Sequence, residues 1–145
     1  MRFRSWGTIL LVLLVVGLVA GCGSRNTDPA EQPSGVLVPI SPLAGYAAHG
    51  DAVLAPTNSG NAFTVTVRMQ GLTPGLHPEH IHVGVCPKSG AVLYPLTTLN
   101  AGSNGTAEAT TTVNARLSEV TDGNHSINVH QPDLTPVACG DIPKQ

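Results

Sequence analysis

The sequence predicts an all-β domain, a sandwich or small barrel built from short strands. Three observations predict it. Residues 62–69 (AFTVTVRM) alternate apolar and polar side chains, the period-two pattern of a half-buried strand. Further short runs rich in Val, Ile and Thr recur along the chain, separated by clusters of Gly, Pro, Asn and Ser. Aromatic residues make up only 3% of the chain, so its core must be filled by Val, Ile, Leu and Ala. No internal repeat of solenoid length is present.

The N-terminus reads as a targeting segment outside this fold. Arg2 and Arg4 precede an apolar run over 9–20, interrupted only by Gly17. The run is too short to favour a membrane-spanning helix. It closes on Val19-Ala20-Gly21-Cys22, which resembles the bacterial lipobox. That resemblance implies a signal peptide over 1–21 and a diacylated Cys22 as the mature N-terminus. The protein would then be extracytoplasmic and held on a bacterial membrane by acyl chains without crossing it. The alternative is an ordinary secretory signal with an incidental cysteine. Residues 22–35 are polar and rich in Gly, Pro and Ser, and read as a flexible tether. Residues 36–145 form the domain. Without the signal, about 124 residues remain, enough for one domain.

Within the domain, 36–40, 51–56, 62–69, 80–85, 107–113 and 125–130 are the strand candidates, with a further strand-like stretch following 87–92. Asn58-Ser59-Gly60-Asn61 and Gly102-Ser103-Asn104-Gly105 are hairpin-like connections. Thr73-Pro74-Gly75 suits a type II turn, with Pro second and Gly third. Residues 114–120 (NARLSEV) suit a single helical turn. Asn104 and Asn124 each open an N-x-S/T triplet, read here as turn composition.

Charge and cysteine content narrow the function. The net charge is −2, and loss of Arg2 and Arg4 makes the mature part more acidic, which argues against a nucleic-acid partner. Of three cysteines, Cys22 takes the lipid, leaving Cys86 and Cys139 as an even pair in an oxidising compartment. A disulfide between them would contribute about 4 kcal/mol in the chain-entropy model. The alternative is that both are thiolate metal ligands, which secretion disfavours. No Ser-His-Asp order, phosphate loop or carboxylate pair stands out.

His80-Ile81-His82 carries the chemistry. Two histidines at i, i+2 in an extended segment lie on one face of a strand. His130 ends a second strand-like run, Ser126-Ile127-Asn128-Val129-His130. Three imidazoles from two strands could close on one borderline-soft ion, copper or zinc. The alternative is that these are polar, partly exposed strand residues with no metal. Glu79 and Asp133 flank the histidines and read as solvated, with a supporting role behind the ligands as the alternative. His49 and His125 read as surface or turn residues.

The segment from Gly71 through Leu76-His77-Pro78-Glu79-His80-Ile81-His82-Val83-Gly84 to Cys86 resembles Cu/Zn superoxide dismutases, which run from a Gly-Leu turn through His-x-x-His-x-His to a cysteine. Val129-His130 and Ala138-Cys139-Gly140-Asp141-Ile142 resemble that family's later copper histidine and second half-cystine. The resemblance spans 52–142. It implies an eight-stranded antiparallel Greek-key β-barrel, with His80, His82 and His130 as copper ligands and His77 bracing the loops behind them. It also implies a Cys86–Cys139 disulfide. Ile81, Ile127 and Val129 would point into the barrel, leaving the three histidines outside it, open to solvent and substrate. Superoxide would be the substrate and copper the cofactor. The alternative it implies is a non-catalytic copper-binding or interaction module on the same fold.

The departures from that family are specific. Only 87–92 (PKSGAV), without a histidine, follows Cys86, so the family's bridging and zinc-binding residues have no counterpart and no zinc site is expected. The loop 131–138 carries Pro136 where the family places its anion-guiding arginine. Lys88 and Arg116 are the candidate substitutes. A second resemblance, to chordin-type repeat domains, rests on His80-Ile81-His82-Val83-Gly84 and implies a β fold; it does not by itself predict the cysteine pair or His130.

Overall fold

The computed structural model describes residues 35–145. The signal segment 1–21, Cys22 and the tether up to residue 34 lie outside the described residues. Ten strands form: β1 (Val36–Pro42), β2 (His49–Pro56), β3 (Phe63–Gln70), β4 (Gly75–His77), β5 (Glu79–Val83), β6 (Val92–Pro95), β7 (Leu99–Ala101), β8 (Ala107–Val113), β9 (His125–His130) and β10 (Pro136–Ile142). A 3₁₀ turn at Leu117–Glu119 is the one helical element among the described residues. None of their helices is long and apolar enough to cross a membrane.

Eight strands form one antiparallel sheet in the order β6-β5-β9-β10-β1-β2-β3-β8, and β4 pairs with β7 in a separate two-stranded sheet. Only β1-β2-β3 is a simple meander. The last strand returns beside the first, and β9 inserts between β5 and β10, which are Greek-key-type connections. The sheet curls until its ends nearly meet. Thr97, just after β6, donates from its backbone N–H to Thr111 Oγ1 on β8 at 2.7 Å. The Tyr94 ring of β6 stands edge-on to Phe63 of β3, with centroids 6.5 Å apart. The all-β, eight-stranded barrel-like architecture is therefore the expected one.

The alternation read in β3 is realised directly. Phe63, Val65, Val67 and Met69 are buried while Arg68 and Gln70 face out. Cross-strand neighbours extend the same face through Ala52, Leu54, Val38, Ile81, Ile127 and Val129, all fully buried. The β2–β3 connection closes as the turn chemistry requires: Gly60 takes a φ of +68° and Thr57 N–H donates to Ala62 O at 2.9 Å.

Several boundaries differ from expectation. The helical turn read over 114–120 shrinks to Leu117–Glu119, closed by Glu119 Oε1 accepting from Arg116 N–H at 3.1 Å. Gly75 has the positive φ expected of a turn, +127°, but it opens β4. The strand read over 80–85 runs from Glu79 to Val83, ended by Gly84 at φ +92°. The three-residue β4 and β7 are too short to show any periodicity. In β10, Pro, Cys, Gly and Asp mask a strand that burial on both faces sustains.

β10 also makes a close backbone approach in the barrel. A Cβ on Gly140 would collide with the Pro39 carbonyl oxygen and crowd the Val38 and Ile40 side chains at 3.0 and 3.1 Å. Gly140→Ala should therefore cost roughly 1–3 kcal/mol through overpacking. A lower urea midpoint with unchanged slope would register it; an unchanged midpoint would show that β10 can shift outward freely.

Candidate metal centre

The β5–β9 pairing builds the site. Ile81 opposes Ile127 and Glu79 opposes Val129, which fixes the inward face. With a side-chain period of two, His80 and His82 must then face outward, beside Asn128 and Ser126 respectively. His130 ends β9 on the same outer face, its N–H donating to Pro78 O at 2.9 Å. The three imidazole centroids are 5.0 Å (His80–His130), 5.5 Å (His82–His130) and 5.6 Å (His80–His82) apart. One ring nitrogen from each lies within 4.8 Å of the other two. Among the described residues this is the one cluster of three or more His, Cys, Asp or Glu side chains with metal-holding spacing.

Hydrogen bonds select the free nitrogens. A carbonyl oxygen only accepts, so a ring nitrogen bonded to it carries the hydrogen and leaves the other nitrogen with its lone pair. His82 Nδ1 donates to Gly90 O at 2.8 Å, and His82 Nε2 is buried without a partner. His130 Nδ1 donates to Pro78 O at 3.2 Å, which frees Nε2. His80 Nδ1 is likewise buried and unpartnered. Burial, reinforced by the neighbouring His82, holds His80 below the usual imidazole pKa. Burial also lowers His130, against the raising effect of its bond to Pro78. Both rings are thus neutral near pH 7, the form that ligates.

The site is more enclosed than a barrel exterior suggests. His82 is 8% and His130 5% exposed, and only His80 is half-buried. The reason is the connection between β5 and β6, residues 84–91, which folds back over the outer face of β9. Its Ser89 Oγ lies 2.7 Å from Ser126 Oγ and donates to Asn128 Oδ1 at 3.2 Å. Its Cys86 is disulfide-bonded to Cys139 on β10, with Cα atoms 5.9 Å apart. The two sulfurs are therefore not thiolate ligands.

His77 lies behind His130. It is 1% exposed and bonds through Nδ1 to His130 O at 2.9 Å and through Nε2 to Thr73 O at 2.8 Å. Glu79 departs from expectation. It is 1% exposed, shares the inward face with Ile81, and its Oε2 has no partner. Burial pushes its carboxyl up to about 8, so it is neutral at pH 7. Starting β5 one residue earlier would have revealed this, since residues 79 and 81 share a face. Asp133 is exposed and accepts from Thr135 N–H at 3.0 Å. His49 is exposed, but His125 is buried and donates from Nδ1 to Asp122 Oδ1 at 2.8 Å, so its surface reading is corrected. Lys88 and Arg116 are exposed, and neither hydrogen-bonds a histidine of the cluster.

A family model described as CHRD domain matches residues 29–136. The chain belongs to the CHRD domain family. No curated protein matches it. The family shown is the chordin-type one, the second of the two resemblances in the sequence. The CHRD match takes in His80, His82, His130 and Cys86 but stops short of Cys139. It begins at residue 29, inside the segment read as a tether.

Proposed function

We propose that this CHRD domain is a copper-binding module, holding one ion through Nδ1 of His80, Nε2 of His82 and Nε2 of His130. The observation that carries the reading is the convergence of the three rings with two buried lone pairs unanswered. A buried polar atom without a partner costs about 1–3 kcal/mol, which coordination would recover. All three donors are imidazole nitrogens, which suit copper and zinc; the general affinity order places cupric copper above zinc. Gly90 O, Pro78 O and His77 supply the outer contacts that hold ligand rings in one tautomer and orientation. The lipobox-like Cys22 and the disulfide support a site working outside the cytoplasm, tethered at a bacterial membrane.

Copper capture is favoured over catalysis. Two of the three histidines are nearly covered, and no Lys or Arg among the described residues hydrogen-bonds the cluster. The second reading is superoxide dismutation, supported by the resemblance of the His77–His82 segment and by the half-buried His80 edge, through which a small anion has access. Bound copper would supply the one-electron couple that reaction needs. Three protein donors leave a coordination position free.

Metal analysis after loading with copper and gel filtration separates these readings. About one ion per chain is expected. No retained copper removes both readings. Retained copper with superoxide loss no faster than free-copper controls leaves capture alone, and faster loss establishes the dismutase reading.

A further inference from the structure

We infer that the Cys86–Cys139 disulfide is a redox gate on the histidine cluster, acting through the strap formed by residues 84–91. The inference rests on the metal-binding reading and adds its regulation.

The strap has a stem and a tip. The stem is backbone: Gly90 N–H donates to Val83 O at 2.6 Å, Val83 N–H to Ala91 O at 3.0 Å and Gly84 N–H to Asn124 O at 2.6 Å. The tip carries three ties across β9 to β10. These are the disulfide itself, Cys86 N–H donating to Asp141 Oδ1 at 2.7 Å, and Ser89 Oγ on Ser126 and Asn128. The tip thereby anchors the loop whose Gly90 carbonyl orients His82, and His82 beside it is buried. Asn128 lies directly between the two features: it opposes His80 in register, and its Oδ1 is 2.8 Å from Cys139 Sγ.

The two sulfurs differ in access. Cys86 is half-buried, while Cys139 is 4% exposed. A dithiol reductant reaches Cys86 first. Its thiolate attacks Cys86 Sγ, and Cys139 Sγ leaves as a thiolate and takes up a proton. The reductant's second thiol then displaces Cys86 and closes its own disulfide, so two electrons and two protons pass to the protein. The covalent tie is lost while the stem remains. The tip, now held only by Ser89 and by Cys86 N–H on Asp141, opens part of the time, water reaches His82 and competes with the Gly90 carbonyl for Nδ1, and the ring samples both tautomers. Only one tautomer presents Nε2 as a donor, so affinity falls without being abolished. Loss of such an outer contact typically costs 10–100-fold in metal affinity.

The test uses the full chain and zinc alone as the probe, because zinc is redox-inert and accepts the same nitrogens. Calorimetry compares oxidised wild type with the Cys86→Ser/Cys139→Ser double variant, which lacks thiols that would bind zinc themselves. The expected result is zinc affinity 10–100-fold weaker in the variant. Nitrogen NMR of the metal-free protein supplies a second reading: His82 as a single Nδ1–H tautomer when oxidised, and a mixture after reduction. Ser89→Ala keeps the disulfide and loosens the tip, with a smaller loss of zinc affinity expected. If the double variant fails to fold, the His82 spectrum of the reduced wild type decides the matter. Equal affinities with an unchanged His82 spectrum overturn the gate and leave the metal site standing. Absence of zinc and copper binding by the oxidised wild type overturns the metal reading itself.

Discussion

His82→Ala should weaken copper binding by on the order of 10²–10³-fold. Structural zinc sites with four donors are worth about 10–16 kcal/mol, so one donor is worth about 2.5–4 kcal/mol. His82 is the informative choice because both its nitrogens are assigned: Nδ1 is engaged by Gly90 O and Nε2 is buried and unpartnered. Removing the ring deletes a donor and also empties a buried position under the strap, so folding must be checked alongside. His49→Ala, at an exposed position remote in sequence from the cluster, serves as the control and should leave affinity unchanged. Competition titration against a chelator of known affinity reads both. Equal binding by His82→Ala and wild type would show that the metal sits elsewhere.

Glu79→Gln should stabilise the metal-free domain at pH 8 by about 4 kcal/mol, while leaving it nearly unchanged at pH 4. The carboxyl is pushed up from 4.5 to about 8 by burial alone, a difference of about 1.4 kcal/mol for each pH unit. Between those two values the folded domain keeps the proton that the unfolded chain releases. Stability is therefore full below about 4.5, falls as pH rises, and levels off above about 8. Gln keeps the shape of the neutral acid and has no charge to lose. His80 and His130 act with the opposite sign. Their pKa values are lowered on folding, so stability falls as pH drops below the ordinary imidazole value of 6.5. These terms are common to both proteins, so the difference between their urea-derived stability curves isolates Glu79. Parallel curves from pH 5 to 8 would show that the carboxyl is solvated in solution. An effect of this size is a large share of the stability of a small domain.

The buried Glu79 also shows where local reading loses its grip. Its type and its place beside His80 suggested a surface residue. Its burial follows from the register of β5 on β9, which puts residues 79, 81, 127 and 129 on one face. A carboxyl there is tolerated because it stays protonated. His125 was hidden for the same reason: only the inward turn of odd-numbered residues in β9 reveals that it is buried against Asp122. The strap was legible only as a short linker. That it folds over β9 depends on Cys139, 53 residues away.

The amino-acid pattern alone decided the all-β class, most strand positions and the shared face of His80 and His82. Each follows from neighbours a few residues apart, through the alternation of strands and the conformational demands of turns. The convergence of His130 with that pair was decided by the barrel. So were the unpartnered state of Nδ1 on His80 and Nε2 on His82, the Cys86–Cys139 disulfide, the burial of Glu79 and the cover over the site. These depend on which strands lie side by side and which distant carbonyl meets each ring. Short-range periodicity carries no record of such contacts, because the burial of a whole sheet face, not any single segment, sets the register.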